Sequence, residues 1–242
     1  MIQKITSIVR RCIDEYDMIQ HGETVAVGLS GGKDSLTLLD AMVNISKYHP
    51  KQFKVHAVTL SMGFDGMDFS PLAEHCKTLD VPYSIKHSDI YKIVFTDRKE
   101  KNPCSLCATM RRAALCNMIK ELGIQKIALA HHYDDAVETY LMSLVYEGRM
   151  HCFQPVTYLD RTDTYQIRPM LYIKEEMIKR YAKSMELPVV VNTCPENGYS
   201  KREEIKTLLK TLGKDYPGLK TNIFGAMQRL PLKGWGIRDL SF

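Results

Sequence analysis

At 242 residues, 45% hydrophobic and 25% charged, the chain has the composition of a globular protein long enough to bury one substantial core with room for an appendage. No apolar run is as long as a membrane span, and the amphipathic start bearing Arg10, Arg11, Asp14 and Glu15 does not read as a signal peptide, so a soluble cytoplasmic protein without a membrane partner is expected. The seven cysteines (12, 76, 104, 107, 116, 152 and 194) are odd in number with one close pair, which argues against a secreted disulfide framework, and the formal charge of +5 is concentrated in residues 201–242, with nine Lys/Arg against four Asp/Glu. Such a tail suits a polyanion such as RNA, although a solvated face of basic helices carries the same charge.

In chain order, Ile5, Ile8, Val9, Cys12, Ile13 and Tyr16 recur at helical spacing and lead into an apolar run, Thr24 to Gly28. That run breaks at Ser30-Gly31-Gly32-Lys33-Asp34-Ser35 and continues as a helix through Leu36, Leu39, Met42 and Ile45. Strand, glycine turn and helix in this order make a cradle for phosphate. Gly31 and Gly32 allow close backbone approach, Ser30 and Ser35 add hydroxyls, Lys33 adds a cation, and the helix N–H groups point at the same spot. The spacing fits neither a Walker loop nor a dinucleotide fingerprint.

Further strands are expected at 54–61, 82–87, 126–130 and 188–191, with helices at about 70–79, 104–122, 134–146 and 174–185. Residues 88–103 read as a mobile charged loop, 154–169 as a β-hairpin insertion, and the stretch from Ser200 as basic helices broken at Gly213 and at Pro217-Gly218. Strands alternating with helices predict an α/β fold with a doubly wound, parallel, five-stranded sheet. In such a sheet ligands bind at the carboxyl ends of the strands. The loop at 30–35, Ser61, the His131-His132 pair and Cys194 each follow a predicted strand and so share that edge.

Cys104-Ser105-Leu106-Cys107, behind Pro103, sets two thiols at a helix start, where the dipole lowers thiol pKa. Alone, C-x-x-C is compatible with a redox pair, half a zinc site or part of an iron–sulfur site. Cys116 falls on the opposite helix face and reads as core, whereas Cys194, in Asn192-Thr193-Cys194-Pro195, follows a strand in a polar context.

Ser30 to Ser35 resembles the PP-loop of ATP pyrophosphatases. Together with P-C-S-L-C at 103–107 followed by Arg111-Arg112, H-H-Y-D-D-A-V-E-T at 131–139 and a downstream Cys194, the ordered motifs over residues 1–200 resemble the tRNA 2-thiocytidine synthetase family. The resemblance implies ATP and Mg²⁺ at the PP-loop (Ser30, Gly31, Gly32, Lys33, Asp34, Ser35, with Ser61 beside it). It also implies a [4Fe-4S] cluster on Cys104, Cys107 and Cys194 with a fourth iron binding hydrosulfide, and a cytidine carbonyl of the tRNA anticodon loop as the group activated. By motif, Asp135 would be the catalytic or metal-organising carboxylate and Arg111 a cation near the reacting phosphate, with Lys33 and Asp34 completing the catalytic set and Asp134 a second candidate for Mg²⁺. Sulfur would come from a cysteine desulfurase or free sulfide, to a homodimer. Residues 1–195 would form the PP-loop domain and 196–242 a basic helical extension. Many relatives place the third cluster cysteine in a second C-x-x-C, whereas Pro195-Glu196-Asn197 follows Cys194 here.

Overall fold

The computed structural model describes residues 1–64, 66–98, 103–191, 193–194, 201–229 and 235. Helix α1 (Ile2–Glu15) precedes β1 (Thr24–Gly28), α2 (Lys33–Ser46), β2 (Lys54–Ser61), α3 (Ser70–Thr78) and β3 (Tyr83–His87). Then come a π-helical segment (Lys92–Asp97), α4 (Pro103–Glu121), β4 (Lys126–Ala128) and α5 (Tyr133–Glu147). The hairpin β5 (Val156–Leu159) and β6 (Thr164–Ile167) follows, then α6 (Glu175–Ser184), α7 (Lys201–Asp215) and α8 (Leu219–Arg229).

The strands form one six-stranded sheet in the order β3-β2-β1-β4-β6-β5. All neighbours run parallel except β5 and β6. The α/β doubly wound class read from the sequence is therefore present, with two corrections. The hairpin is not an insertion beside the sheet: β6 pairs with β4 through Lys126–Tyr165 and Ala128–Ile167 and supplies the fifth parallel strand, with β5 added as its edge. Residues 188–191, expected as strand five, form no strand; their backbone turns to the loop after β1 instead, through the bond from Val190 N–H to the Gly31 carbonyl. Two smaller expectations also change. Part of the presumed loop at 88–103 is π-helical, and α7 runs through Gly213 and stops only before Pro217.

β1 shows why the sheet is central. Val25, Ala26 and Val27 are fully buried, as a parallel strand covered on both faces requires. Successive side chains go to opposite faces, so Val25 and Val27 join the large core with α1, α2, α5 and α6, while Ala26 joins the smaller cluster of Val58, Met118, Ile119, Ile124 and Ile127 under α4. Ile205 and Leu209 of α7, Phe224 and Met227 of α8, and Trp235 are buried in the large core, so the basic C-terminal helices share it. Trp235 Nε1 donates to the Phe153 carbonyl at 3.0 Å, and its ring meets Phe224 edge-on. The boundary expected at 195 lies outside the described residues.

Candidate active site

β1 pairs with β2 on one side and β4 on the other, which makes its carboxyl end the topological switch point where an open α/β sheet opens a crevice. The chain leaves β1 there into the Ser30–Ser35 loop. Ser35 Oγ donates to the Gly32 carbonyl at 2.8 Å and accepts the Ser30 N–H at 3.2 Å, while Gly32 N–H reaches Ser30 Oγ at 3.4 Å. These bonds give the loop its own frame. Gly31 has φ +85°, and a Cβ there would stand 2.8 Å from Val190 Cβ, so both conformation and space demand glycine. A cleft of ≈ 580 Å³ opens beside the loop, bounded by Lys33 and Asp34 on one side and by Lys179, Lys183 and Val189–Val191 on the other.

Lys33 Nζ lies 3.1 Å from Asp34 Oδ2 and 3.2 Å from Glu175 Oε1. Burial alone would depress its pKa, but the two carboxylates outweigh it and hold the ammonium charged, above the ordinary lysine value. Burial likewise works against Glu175, yet hydrogen bonds from Lys179 and Lys33 pull its pKa down to about 2. Asp34 Oδ1, the other oxygen of its carboxylate, is buried without a hydrogen bond.

At the end of β4, His132 caps α5 in a reciprocal box: its backbone N–H donates to Asp135 Oδ2 at 3.0 Å, and its Nδ1 accepts the Asp135 N–H at 3.4 Å. Accepting at Nδ1 assigns the proton to Nε2, which faces Asp34 Oδ1 at 3.9 Å. The neighbouring Asp134 turns away from the crevice. One of its oxygens accepts the Glu175 N–H at 2.8 Å, capping α6, and the other takes Lys220 Nζ at 2.6 Å. Burial opposes its ionisation, but these two donors keep its pKa below the usual value. Of the D-D pair, Asp135 is the one on the loop side, and Arg202 of α7 reaches its Oδ1 at 3.4 Å.

Cys104 is exposed and Cys107 half-buried in the first two turns of α4. The expectation that the helix start lowers the thiol pKa fails for Cys107. Burial raises it and outweighs the pull of Arg111, the next largest influence, while the charges of Cys194 and Cys104 add to the rise. The cause is also informative, because Cys194 acts on Cys107 only if the chain brings it back to α4. Among the described residues no three Cys, His, Asp or Glu stand close enough to hold a single metal ion. Cys107, with two further thiols within its electrostatic reach, would suit a larger cationic cluster, whose iron would favour the thiolates.

Arg111, exposed one turn beyond Cys107, also acts on His131. One cation is thus within electrostatic reach of both Cys107 and the end of β4. His131 is held down to about 3 by burial and by Arg168, so it is a neutral imidazole, its ring tilted 37° against Phe153 at 4.8 Å. Ser61 ends β2 at the same edge, its carbonyl held by the Ser88 hydroxyl at 2.8 Å. The structure sets the Ser30–Ser35 loop, Ser61 and Asp135 after β1, at the end of β2 and after β4, with Cys104, Cys107 and Arg111 on α4, whereas Cys194, expected to follow a strand, does not, because residues 188–191 form none. Glu175, Lys179, Arg202 and Lys220 were missed. The basic character of residues 201–242 was visible in the sequence, but not that two of its cations point inward.

A six-stranded α/β sheet with this loop at its switch point defines a nucleotide-binding protein of the PP-loop type. The PP-loop domain family matches residues 2–212, and the chain belongs to it. It is 36% identical over 232 residues to the tRNA-cytidine(32) 2-sulfurtransferase of Burkholderia cenocepacia, covering 95% of this chain and 70% of that protein. The protein of the same name from Burkholderia mallei is 37% identical over 229 residues, covering 94% and 69%. Among solved structures, the U34-tRNA thiolase NcsA from Methanococcus maripaludis with its [4Fe-4S] cluster superposes with a TM-score of 0.73 at 25% identity, covering 90% of this chain and 76% of that one.

Proposed function

We propose that this protein is an ATP-dependent tRNA sulfurtransferase that replaces the C2 oxygen of a cytidine with sulfur. The observation that carries the reading is a phosphate loop at the sheet's switch point together with Cys107 bearing the charges of two further cysteines, Arg111 being within electrostatic reach of both Cys107 and His131. The sulfurtransferase relatives and the cluster-bearing thiolase neighbour support the same chemistry.

A base carbonyl oxygen is a poor leaving group. Its attack on the α-phosphorus of ATP breaks the α–β P–O bond, releases pyrophosphate and leaves the oxygen bonded to AMP. A sulfide then forms the C–S bond, AMP departs with that oxygen, and a proton is lost from sulfur; no electrons change hands. The Ser30–Ser35 loop and the α2 N-terminus would hold the pyrophosphate end, with Ser61 beside the nucleotide and Lys33 exchanging its Glu175 contact for phosphate. Lys33 and Arg111 would offset charge growing on the phosphates. Mg²⁺ would be held with Asp34 and Asp135, whose buried Oδ1 of Asp34 offers an oxygen awaiting a cation. Cys104, Cys107 and Cys194 would hold a [4Fe-4S] cluster, which supplies the sulfur when bound. The sulfur source (a cysteine desulfurase or free sulfide) and a homodimeric state rest on the family resemblance, and a cytoplasmic location on the reading of the sequence. Among the described residues no helix is long and apolar enough to cross a membrane.

The direct test follows AMP and pyrophosphate from ATP with tRNA and the anaerobically reconstituted chain. Lys33→Met and Asp135→Asn should each lower AMP formation at least ~100-fold. Turnover unchanged in both variants would refute the assignment.

A further inference from the structure

Two chains of polar contacts begin on the C-terminal helices and end on consecutive residues of the phosphate loop. In the first, Lys220 of α8 holds Asp134 at 2.6 Å, Asp134 holds the Glu175 N–H at 2.8 Å, and Glu175 holds Lys33 at 3.2 Å. The second starts at Arg202 of α7, which meets Asp135 at 3.4 Å. Asp135 Oδ2 lies 3.4 Å from His132 Nε2, and that nitrogen faces Asp34 at 3.9 Å. Arg202 is fixed by more than one bond: it also reaches Glu138 Oε2 at 3.2 Å and Thr139 Oγ1 at 3.1 Å.

The electrostatics explain why these cations stand here. Asp134, Asp135 and Glu138 crowd the first half of α5, and the carboxylate of Glu138 is 2% exposed. Carboxylates packed this closely repel one another, and a buried one without a cation is costly. Burial raises the Glu138 pKa, with Lys206 and Arg202 opposing it. Among the described residues, Arg202 and Lys206 of α7 and Lys220 of α8 are the lysines and arginines that act on these three groups.

The geometry points to the α7–α8 pair as a positioning element of the phosphate loop, in which Lys220 sets Lys33 through Asp134 and Glu175, and Arg202 sets Asp135 and Asp34 through His132. The two cations act through other residues and are positioning groups. The inference rests on the reading above that the loop takes ATP. It assigns to the basic C-terminal helices a role at the nucleotide in addition to their charge toward a polyanion.

The two paths make different predictions. Lys220→Gln, which loosens the hold on Lys33, should weaken binding of a non-hydrolysable ATP analogue about tenfold. Arg202→Gln, which loosens Asp135, should lower kcat for AMP formation about tenfold while the analogue binds within about threefold of wild type, and Arg202→Lys should recover part of that rate. Lys210→Gln, an exposed site on α7 outside both paths, should change neither. All are measured on the full reconstituted chain, below the melting temperature of every variant. Wild-type affinity in Lys220→Gln together with wild-type turnover in Arg202→Gln would overturn the inference, as would equal losses in Lys210→Gln. A wild type that binds the analogue but makes no AMP with tRNA would sink the proposed activity, while the Lys220 affinity would still decide the positioning role.

Discussion

At the scale of single residues, the contiguous part of the site was legible and the assembled part was not. Ser30 to Ser35 form a cradle because the atoms that frame it are at most five positions apart, so a short motif contains the whole construction. Arg202 is 67 positions from Asp135 and Lys220 is 86 from Asp134, and nothing local marks a cation destined for a distant carboxylate. The roles within H-H-Y-D-D divide by geometry: His132 and Asp135 cap each other on the loop side, and Asp134 caps α6. His131 makes its own prediction. Its folded pKa is about 3 against 6.5 in an open chain, so between those values the unfolded state binds a proton that the native state refuses, and stability falls as pH falls. The loss should amount to roughly 2 kcal/mol between about pH 7 and 5 and be absent in His131→Gln, measured by denaturant unfolding at both pH values. Equal losses in wild type and variant would show that His131 is not held neutral.

Among elements, the helices were read well because their apolar stripes are local, as α1 shows by burying Ile5, Val9, Cys12 and Ile13 on one face. Strand membership was read less well. Residues 188–191 are as β-prone as the hairpin, but strands are defined by pairing. The Val190 backbone bonds the loop at Gly31, while β6 has an open neighbour in β4. Helix α4 owes its importance to position: it carries Cys104 and Cys107 within electrostatic reach of Cys194, and burial first, then the charges of the other two thiols, raise the Cys107 pKa. Anaerobic reconstitution should therefore load about four irons per chain. Cys194→Ala should lose them, whereas Cys116→Ala, whose buried thiol faces Gln166, should keep them. A cluster retained in full by Cys194→Ala would remove that residue from the ligand set.

In the whole molecule, one sheet edge gathers the nucleotide loop, the acidic start of α5 and the cysteine segment, and the C-terminal helices close the core behind them with Phe224 and Trp235. The topology explains the convergence. The chain winds β1 to β3 in one direction, returns past β1 to β4, and so opens a crevice between the carboxyl ends of β1 and β4. The alternation of strands and helices foretold an α/β protein, and the composition a globular one with a basic end. It could not foretell that the basic end would be built into the core. The central claim is that this edge activates a tRNA base with ATP and exchanges its oxygen for sulfur. The most direct measurement is mass spectrometry of nucleosides from tRNA lacking thiolated cytidine, after incubation with the reconstituted protein, ATP and sulfide. The account predicts 2-thiocytidine in step with AMP, dependent on ATP and absent with Lys33→Met; unchanged nucleosides alongside robust AMP formation would contradict it.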